Sequence, residues 1–397
     1  MNRNLKVLIV DDSVVFRKVL NEALSKHGGI TVVGTAVNGK DALRKIRSLR
    51  PDLAILDVEM PELDGLQTLD QIKRQRLKIG VIMFSTLTSK GAQTTLDALS
   101  KGAFDFVPKP TGAGAFCQSV KCIESQLIPK IEAYGQSLGI YARQPLKRPQ
   151  PPKRPGIRYH AKPSLLKNGQ KKTAPASPQT RTPVRPMGFA PAAIAIGVST
   201  GGPNALMEVI PKFPAGFNLP ILLVQHMPPI FTTQLARRLN EKSKLRVVEA
   251  QDRQSVQGGT VYLAPGDYHM KVEKEGNRTI IRLNQDPPEN SCRPAVDVLF
   301  RSVAEVYGGR TVGVIMTGMG QDGLIGVRLL KEKGASIIAQ DKESSVVWGM
   351  PKFVAEEGLA DRICSLSEIE PAILEMSGFA RRAPRPAARI TSSATGR

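Results

Sequence analysis

Short runs of consecutive apolar residues alternate with amphipathic stretches along most of this chain, and the alternation occurs twice. In the first part, Val7–Val10, Ile30–Val37, Leu53–Leu56, Gly80–Phe84 and Phe104–Val107 read as strands. Their near-continuous apolar character is that of strands covered on both faces. Between and after them, Ser13–Lys26, Gly39–Arg47, Leu63–Arg74, Thr94–Lys101 and Phe116–Ile131 carry helical spacing. Five strand–helix units in sequence predict a parallel, doubly wound sheet. From residue 191 the pattern resumes less regularly, with buried-strand runs at Ala192–Gly197, Leu219–Val224, Thr311–Met316 and Ser336–Ala339. Between His226 and Thr311 the pattern predicts a β-rich insertion, with turn signals at Gly258-Gly259, Pro265-Gly266 and Gly276-Asn277. The expected fold class is therefore α/β, with two doubly wound parallel-sheet domains.

Composition explains the break between them. Residues 141–190 hold ten prolines, twelve Lys or Arg and no acidic residue, with few and aperiodic aliphatics. Such a stretch cannot bury enough surface to offset its ordering entropy, and it reads as a disordered, semi-extended basic linker. The last residues, 377–397, read as a disordered basic tail. The expected layout is a first domain over 1–125 with a closing helix to about 140, the linker over 141–190, a second domain over 191–376, and the tail.

The net charge of +21 changes meaning once it is located. The linker and residues 378–397 carry seventeen of the excess positive charges and leave +4 for everything else. The folded parts are nearly neutral, which argues against a nucleic-acid-binding face. Four cysteines without a CxxC pair make neither a disulfide framework nor a zinc site. No apolar run approaches the ~18 residues of a membrane span. The opening apolar run stops at Asp11-Asp12, too soon for a secretory signal. A cytoplasmic protein is expected.

In the first half, Asp11 and Asp12 follow the first strand and Asp57 follows the third. Ligands of doubly wound sheets collect at these carboxyl-terminal strand ends. Three converging carboxylates repel one another unless a cation joins them, and Mg²⁺ suits an all-oxygen ligand set. Ser85 closes the fourth strand and Lys109 the fifth. A hydroxyl and an ammonium beside such a site can hold phosphoryl oxygens. On Asp11-Asp12, Asp57 within LDVEMPELDG, Ser85 and Lys109-Pro110, residues 5–125 resemble the receiver domain of bacterial response regulators. The resemblance implies that Asp57 accepts a phosphoryl group from a histidine kinase. It implies that Asp11 and Asp12 hold Mg²⁺, with Asp12 and Asp57 as direct ligands. Lys109 would pair with the phosphate, Ser85 would swing toward it, Phe106 would be the aromatic switch, and the Lys109–Pro110 bond would be cis.

In the second half, the strand ending at Gly197 runs into Gly197-Val198-Ser199-Thr200-Gly201, a G-x-S-x-G elbow that exposes a serine. A serine nucleophile needs a base. Of four histidines, His226 follows a core strand directly, and His269 lies in a turn of the expected insertion. His226 is favoured and His269 stays open. The acid that orients the imidazole is expected at Asp322, past the Thr311–Met316 strand, with Asp267 and Asp297 as weaker candidates. Backbone N–H groups near Thr200 and Met319 are candidates for an oxyanion hole. The chain order Ser, His, Asp differs from that of α/β-hydrolases.

Residues 191–376 resemble the catalytic domain of chemotaxis protein-glutamate methylesterases, the CheB family. The matching stretches are IGVSTGGP, VQHMPPIFT, YLAPGDYHM, CRPAVDVLFRSVA, MTGMGQDG and SSVVWGMP. The resemblance implies a catalytic Ser199, His226 and Asp322, with Met319 as an oxyanion donor. The implied substrates are glutamate methyl esters on chemoreceptors, with receptor glutamines deamidated as well. The esterase chemistry would need no cofactor, and the enzyme would act at membrane-bound receptor arrays without being a membrane protein. Ala295 stands where many members have serine, and the linker is longer and more basic than usual. A rival reading rests on Gly318-x-Gly320-x-x-Gly323 before a helix, with Asp341 ending the next strand, a dinucleotide-binding fingerprint. Against it, Asp322 would set a carboxylate beside the pyrophosphate.

Overall fold

The computed structural model describes residues 3–110, 116–141 and 190–379, with the backbone alone at 116–119 and 122. Apart from their edge residues, the expected linker and tail lie outside the described residues.

The first domain contains β1 (Leu5–Val10), α1 (Val14–Ser25), β2 (Ile30–Ala36), α2 (Gly39–Leu49), β3 (Leu53–Asp57), α3 (Gly65–Arg74), β4 (Gly80–Ser85), α4 (Ser89–Ser100), β5 (Asp105–Pro108) and α5 (Phe116–Ser137). The sheet is parallel throughout, in the order β2-β1-β3-β4-β5. The chain reverses direction between β1 and β3, so the topological switch point lies where Asp11, Asp12 and Asp57 emerge. Helix α4 starts five residues earlier than the apolar spacing suggests, because the Thr88 side chain caps it by accepting from the Gly91 N–H. Helix α5 continues through Pro129 to Ser137. Buried Ile131 and Ala133 and the edge contact of Tyr134 with Phe104, 5.0 Å between centroids, hold the extra turns.

The second domain contains β6 (Ala193–Val198), α6 (Gly202–Val209), β7 (Ile221–Gln225), α7 (Phe231–Lys242), β8 (Arg246–Glu249), β9 (Thr260–Leu263), β10 (His269–Glu275) and β11 (Arg278–Asn284). It continues with α8 (Val296–Val306), β12 (Thr311–Ile315), α9 (Leu324–Glu332), β13 (Ser336–Gln340), α10 (Met350–Glu356), β14 (Arg362–Cys364) and α11 (Ile369–Met376). Seven parallel strands run β14-β13-β12-β6-β7-β9-β8. The span from His226 to Thr311 is therefore not one insertion. β8 and β9 extend the main sheet beyond β7, and the β10–β11 hairpin stands apart as a two-stranded sheet. Short strands whose partners lie far off in sequence do not announce which sheet they join. The switch point of this sheet lies between β6 and β12, where the Ser199 and Asp322 loops emerge.

The two domains meet along α4, which packs against α6 and α7. Asn204 donates to the Leu99 carbonyl at 2.7 Å, and Arg238 pairs with Asp97 at 2.7 Å. Phe106 stacks on Phe231 with centroids 4.4 Å apart.

Candidate functional site

In the first domain, the expected acid cluster forms. Asp11, Asp12 and Asp57 offer oxygens that lie within 4.8 Å of one another, with Asp11 and Asp57 buried and Asp12 exposed. Lys109 Nζ reaches Asp57 Oδ2 at 2.7 Å and Asp11 Oδ2 at 2.9 Å. At these distances the one ammonium pairs with both buried carboxyls. Burial pushes the Asp57 carboxyl up to about 6; Lys109 opposes the rise and the Asp11 charge adds to it. Burial raises Asp11 as well, against the pull of Lys109. Three carboxylates converging within 4.8 Å, with one ammonium to offset them, form an all-oxygen donor set that fits a hard divalent cation.

Ser85 is fully buried, and its hydroxyl donates to the Gly91 and Thr86 carbonyls, turned toward α4 rather than toward Asp57. Phe106 is likewise buried, against Phe231. Among the described residues the cis peptide bond is Arg293–Pro294 and not Lys109–Pro110. The two isomers of an X–Pro bond differ by only ~0.5–1 kcal/mol, so resemblance alone carries little weight on this point.

In the second domain, Ser199 leaves β6 at the switch point, its N–H bonded to the Thr317 carbonyl across from β12 at 3.0 Å. Gly201 has φ 79, and a β-carbon there would lie 2.6 Å from Val346 Cβ. Both facts require glycine in this turn. His226 leaves β7 beside it, its N–H bonded to the Val198 carbonyl at 3.2 Å. The Gln225 side chain ties the two loops together, Nε2 donating to the Ser199 and His226 carbonyls at 3.0 Å each. The His226 loop ends at Ile230, whose φ of 71 is a strained conformation for a β-branched residue.

His226 Nε2 lies 2.7 Å from Asp322 Oδ2. Asp322 is buried and also accepts from the N–H groups of Val296 (2.6 Å), Asp297 (3.0 Å) and Gly323 (3.0 Å), and from Asn290 Nδ2 (2.9 Å). Two of those amides open α8, so the carboxylate sits on the positive end of a helix. Burial alone would raise Asp322, but the His226 hydrogen bond and charge and these amides hold it below the usual carboxylate range. Burial alone would depress the His226 imidazole. Cys292 and the bond to Asp322 reverse this and push it up to about 10.

The structure brings Ser199, His226 and Asp322 to neighbouring strand ends. It joins His226 to Asp322 but does not hydrogen-bond Ser199 Oγ to the imidazole. Such contacts are often loose without substrate and tighten on binding. The N–H groups of Thr200 and Met319 donate no hydrogen bond to protein among the described residues, which leaves both available to a ligand.

The other candidates sit elsewhere. His269 is fully buried with both ring nitrogens engaged, Nδ1 by the Ala295 N–H and Nε2 by the Pro287 carbonyl, each at 3.2 Å. Asp267 pairs with Arg293 at 2.6 Å, and Asp297 bonds to Asn290 and to the Gly326 N–H. Ala295 is buried at the head of α8, where its N–H bonds to His269 Nδ1. In the dinucleotide fingerprint, Gly318 is fixed by Ser199, whose Cβ would lie 2.8 Å from an added β-carbon. Sequence reasoning missed Gln225, Asn290 and Cys292. A polar residue closing an otherwise apolar strand, as Gln225 does, is the one signal that was available.

Two parallel α/β sheets, the first ending in an acidic cluster and the second in a serine, a histidine and an aspartate, define a receiver joined to a hydrolase-type domain. Residues 7–121 match the response regulator receiver domain family, and residues 194–373 match the CheB methylesterase family. The chain is 46% identical over 375 residues to the protein-glutamate methylesterase/protein-glutamine glutaminase of Trichodesmium erythraeum, covering 94% of this chain and 99% of that one. It is 44% identical over 380 residues to the enzyme of the same name from a Nocardioides species, covering 96% and 97%. The crystal structure of the Thermotoga maritima CheB methylesterase catalytic domain is 44% identical, with TM-score 0.46, covering 47% of this chain and all of that one. The chain belongs to the CheB methylesterase family.

Proposed function

We propose that this protein is a protein-glutamate methylesterase and glutamine deamidase acting on chemoreceptors, switched on by phosphorylation of Asp57. The observation that carries the reading is the His226–Asp322 hydrogen bond of 2.7 Å beside the Ser199 turn, with the Thr200 and Met319 amides unpaired next to it. Ser199 Oγ attacks the side-chain carbonyl, and the imidazole takes its proton. Because Nε2 faces Asp322, Nδ1 is the nitrogen left for the serine. The Thr200 and Met319 N–H groups receive the developing oxyanion. Methanol or ammonia leaves with the proton from the imidazole, and water then cleaves the glutamyl-serine ester by the reverse choreography. Both reactions are acyl transfers, so one site serves both, with no cofactor.

On the receiver, Asp12 and Asp57 would ligate Mg²⁺, with Asp11 behind them. The bound ion would neutralise charge on the incoming phosphoryl oxygens. Lys109, already across from Asp57, would hold one of those oxygens, and Ser85 would turn from α4 toward another. Phe106 would follow, and Phe106 rests on the hydrolase domain. A histidine kinase is the phosphodonor. The receiver comprises 1–125 with its closing helix to about 140, and the catalytic domain 191–376. Residues 141–190 act as spacer and 377–397 as tail. Among the described residues no helix is long and apolar enough to cross a membrane. The reading places the enzyme in the cytoplasm, meeting receptor arrays from that side.

The test is methanol release from methylated receptor by wild type and Ser199→Ala, each with and without a small phosphodonor and Mg²⁺. Release that rises with phosphodonor and falls by ~10³-fold or more in Ser199→Ala is the expected outcome. Release unaffected by the serine change would sink the reading.

A further inference from the structure

The His226–Asp322 pair does not stand alone. Beside it lies a second buried carboxylate, Asp297, 1% exposed, which the hydrolytic mechanism leaves without a task. Burial and the neighbouring Asp322 push its carboxyl up to about 6. Two buried acids at such range repel each other unless donors separate them.

The donor that separates them is Asn290. Its Nδ2 reaches Asp322 Oδ1 at 2.9 Å and Asp297 Oδ2 at 3.1 Å, and a primary amide has two N–H groups to give. The remaining Asp297 oxygen accepts from the Gly326 N–H at 2.7 Å, inside α9. Asp297 also belongs to the first turn of α8, whose N–H groups hold Asp322. The unit thus joins the loop before α8, the start of α8 and the start of α9.

The loop that presents Asn290 is built to do so. Asn290 and Ser291 are consecutive left-handed residues, φ 51 and 62. Glu289 and Cys292 exchange backbone hydrogen bonds across them. Glu289 is clamped by a two-pronged ion pair to Arg301, one helical stretch along α8. Non-glycine residues in this conformation persist only where the surroundings over-determine them, and they concentrate at functional sites. Cys292, on the same loop, lies against the imidazole.

We propose that Asn290 is a positioning residue for the acid–base pair, held between Asp322 and Asp297 by the Glu289–Arg301 clamp. It fixes the Asp322 carboxylate in the plane that receives His226 Nε2, and Asp297 anchors the other side of the amide. The charged groups that face this amide are Asp322, Asp297, His226 and the Glu289–Arg301 pair. The inference rests on His226 being the base of the proposed esterase.

The experiment compares full-length wild type, Asn290→Ala, Asn290→Asp and Asp322→Asn in methanol release from methylated receptor, with phosphodonor and Mg²⁺, across pH. Asn290→Ala is expected to lose about tenfold in kcat with KM within twofold, since it touches orientation and not substrate. Asn290→Asp adds a negative charge that stabilises the imidazolium, so the acid limb of its kcat/KM profile moves to higher pH. Wild-type kcat together with an unmoved acid limb in both variants overturns the proposal. If Asn290→Ala fails to fold, Glu289→Gln, which releases the clamp, is expected to show the same loss of kcat, and an unchanged kcat there overturns it. Activity surviving in Asp322→Asn would instead remove the underlying reading of the pair.

Discussion

Phe106 of the receiver and Phe231 at the head of α7 lie face to face, ring centroids 4.4 Å apart and planes 17° from parallel. Four residues separate Phe231 from His226, the strained Ile230 among them. The aromatic residue expected to report phosphorylation therefore rests on the helix head that directly follows the short loop of the expected general base. Under the proposed switch, a shift of Phe106 would reach the imidazole through one side-chain contact and one loop.

Shortening that contact is the first prediction. Phe231→Leu keeps an apolar side chain but removes the ring pair, which is worth ~0.5–1.5 kcal/mol beyond area burial. If the closed interface restrains the esterase, methanol release without phosphodonor should rise by about 2–10-fold and the further stimulation by phosphodonor should shrink. An unchanged ratio of stimulated to basal rate would show that the stack does not carry the signal.

Asp57 supplies a pH prediction. Its folded carboxyl titrates at about 6, against 3.8 as the ordinary value. The native state binds this proton more readily than the unfolded chain, so its stabilising effect is complete below the ordinary value and is lost as pH rises through 6. Asp57→Asn should therefore melt higher than wild type at pH 8, by on the order of 1–3 kcal/mol, with the gap closing toward pH 4. The same shift makes the carboxylate scarce in mild acid. Without Mg²⁺ to lower it, reaction with phosphodonor should fall off below about pH 6.

The Asp322 and Cys292 neighbours of His226 are separable. Asp322→Asn keeps the shape but removes the charge and the tautomer control, and a loss of about 10⁴ in kcat is expected. Cys292→Ala removes a group that raises the imidazole. Its pH–rate profile should place the acid limb lower than in wild type. A limb displaced upward would contradict that electrostatic account.

Gly201→Ala tests the serine turn. A side chain at φ 79 costs about 1–2 kcal/mol, and the new methyl meets Val346 at 2.6 Å. Methanol release should drop with only a modest fall in melting temperature, because the strain displaces Ser199 locally. Full activity would mean that the turn tolerates more freedom than its packing allows.

The strand runs of the first domain, such as Val7–Val10 and Leu53–Leu56, were legible because a strand covered on both faces must be apolar along its whole length. Asp57, Lys109, Ser199 and His226 were legible for a related reason. A residue just past a buried parallel strand lies at the edge where ligands collect, whatever the rest of the fold does. The start of α4 at Thr88–Ser89 was harder, since a cap is a local signal that three weak helix formers nearby can mask.

Other features depended on contacts that local pattern does not encode. Whether β8 and β9 extend the main sheet or form their own depends on which partners they find, and nothing in Arg246–Glu249 or Thr260–Leu263 states it. His226 and His269 are both plausible bases by position. Only tertiary packing buries one with both nitrogens occupied and turns the other toward Asp322. Asn290 is invisible as a functional residue until the α8 and α9 termini converge on it, 32 positions away from Asp322. The sequence by itself determined the two α/β sheets and the polar groups at their strand ends, because burial and strand geometry act over a few residues. The tertiary structure decided which of those groups touch, because hydrogen bonds across a crevice depend on packing, and packing is a property of the whole chain.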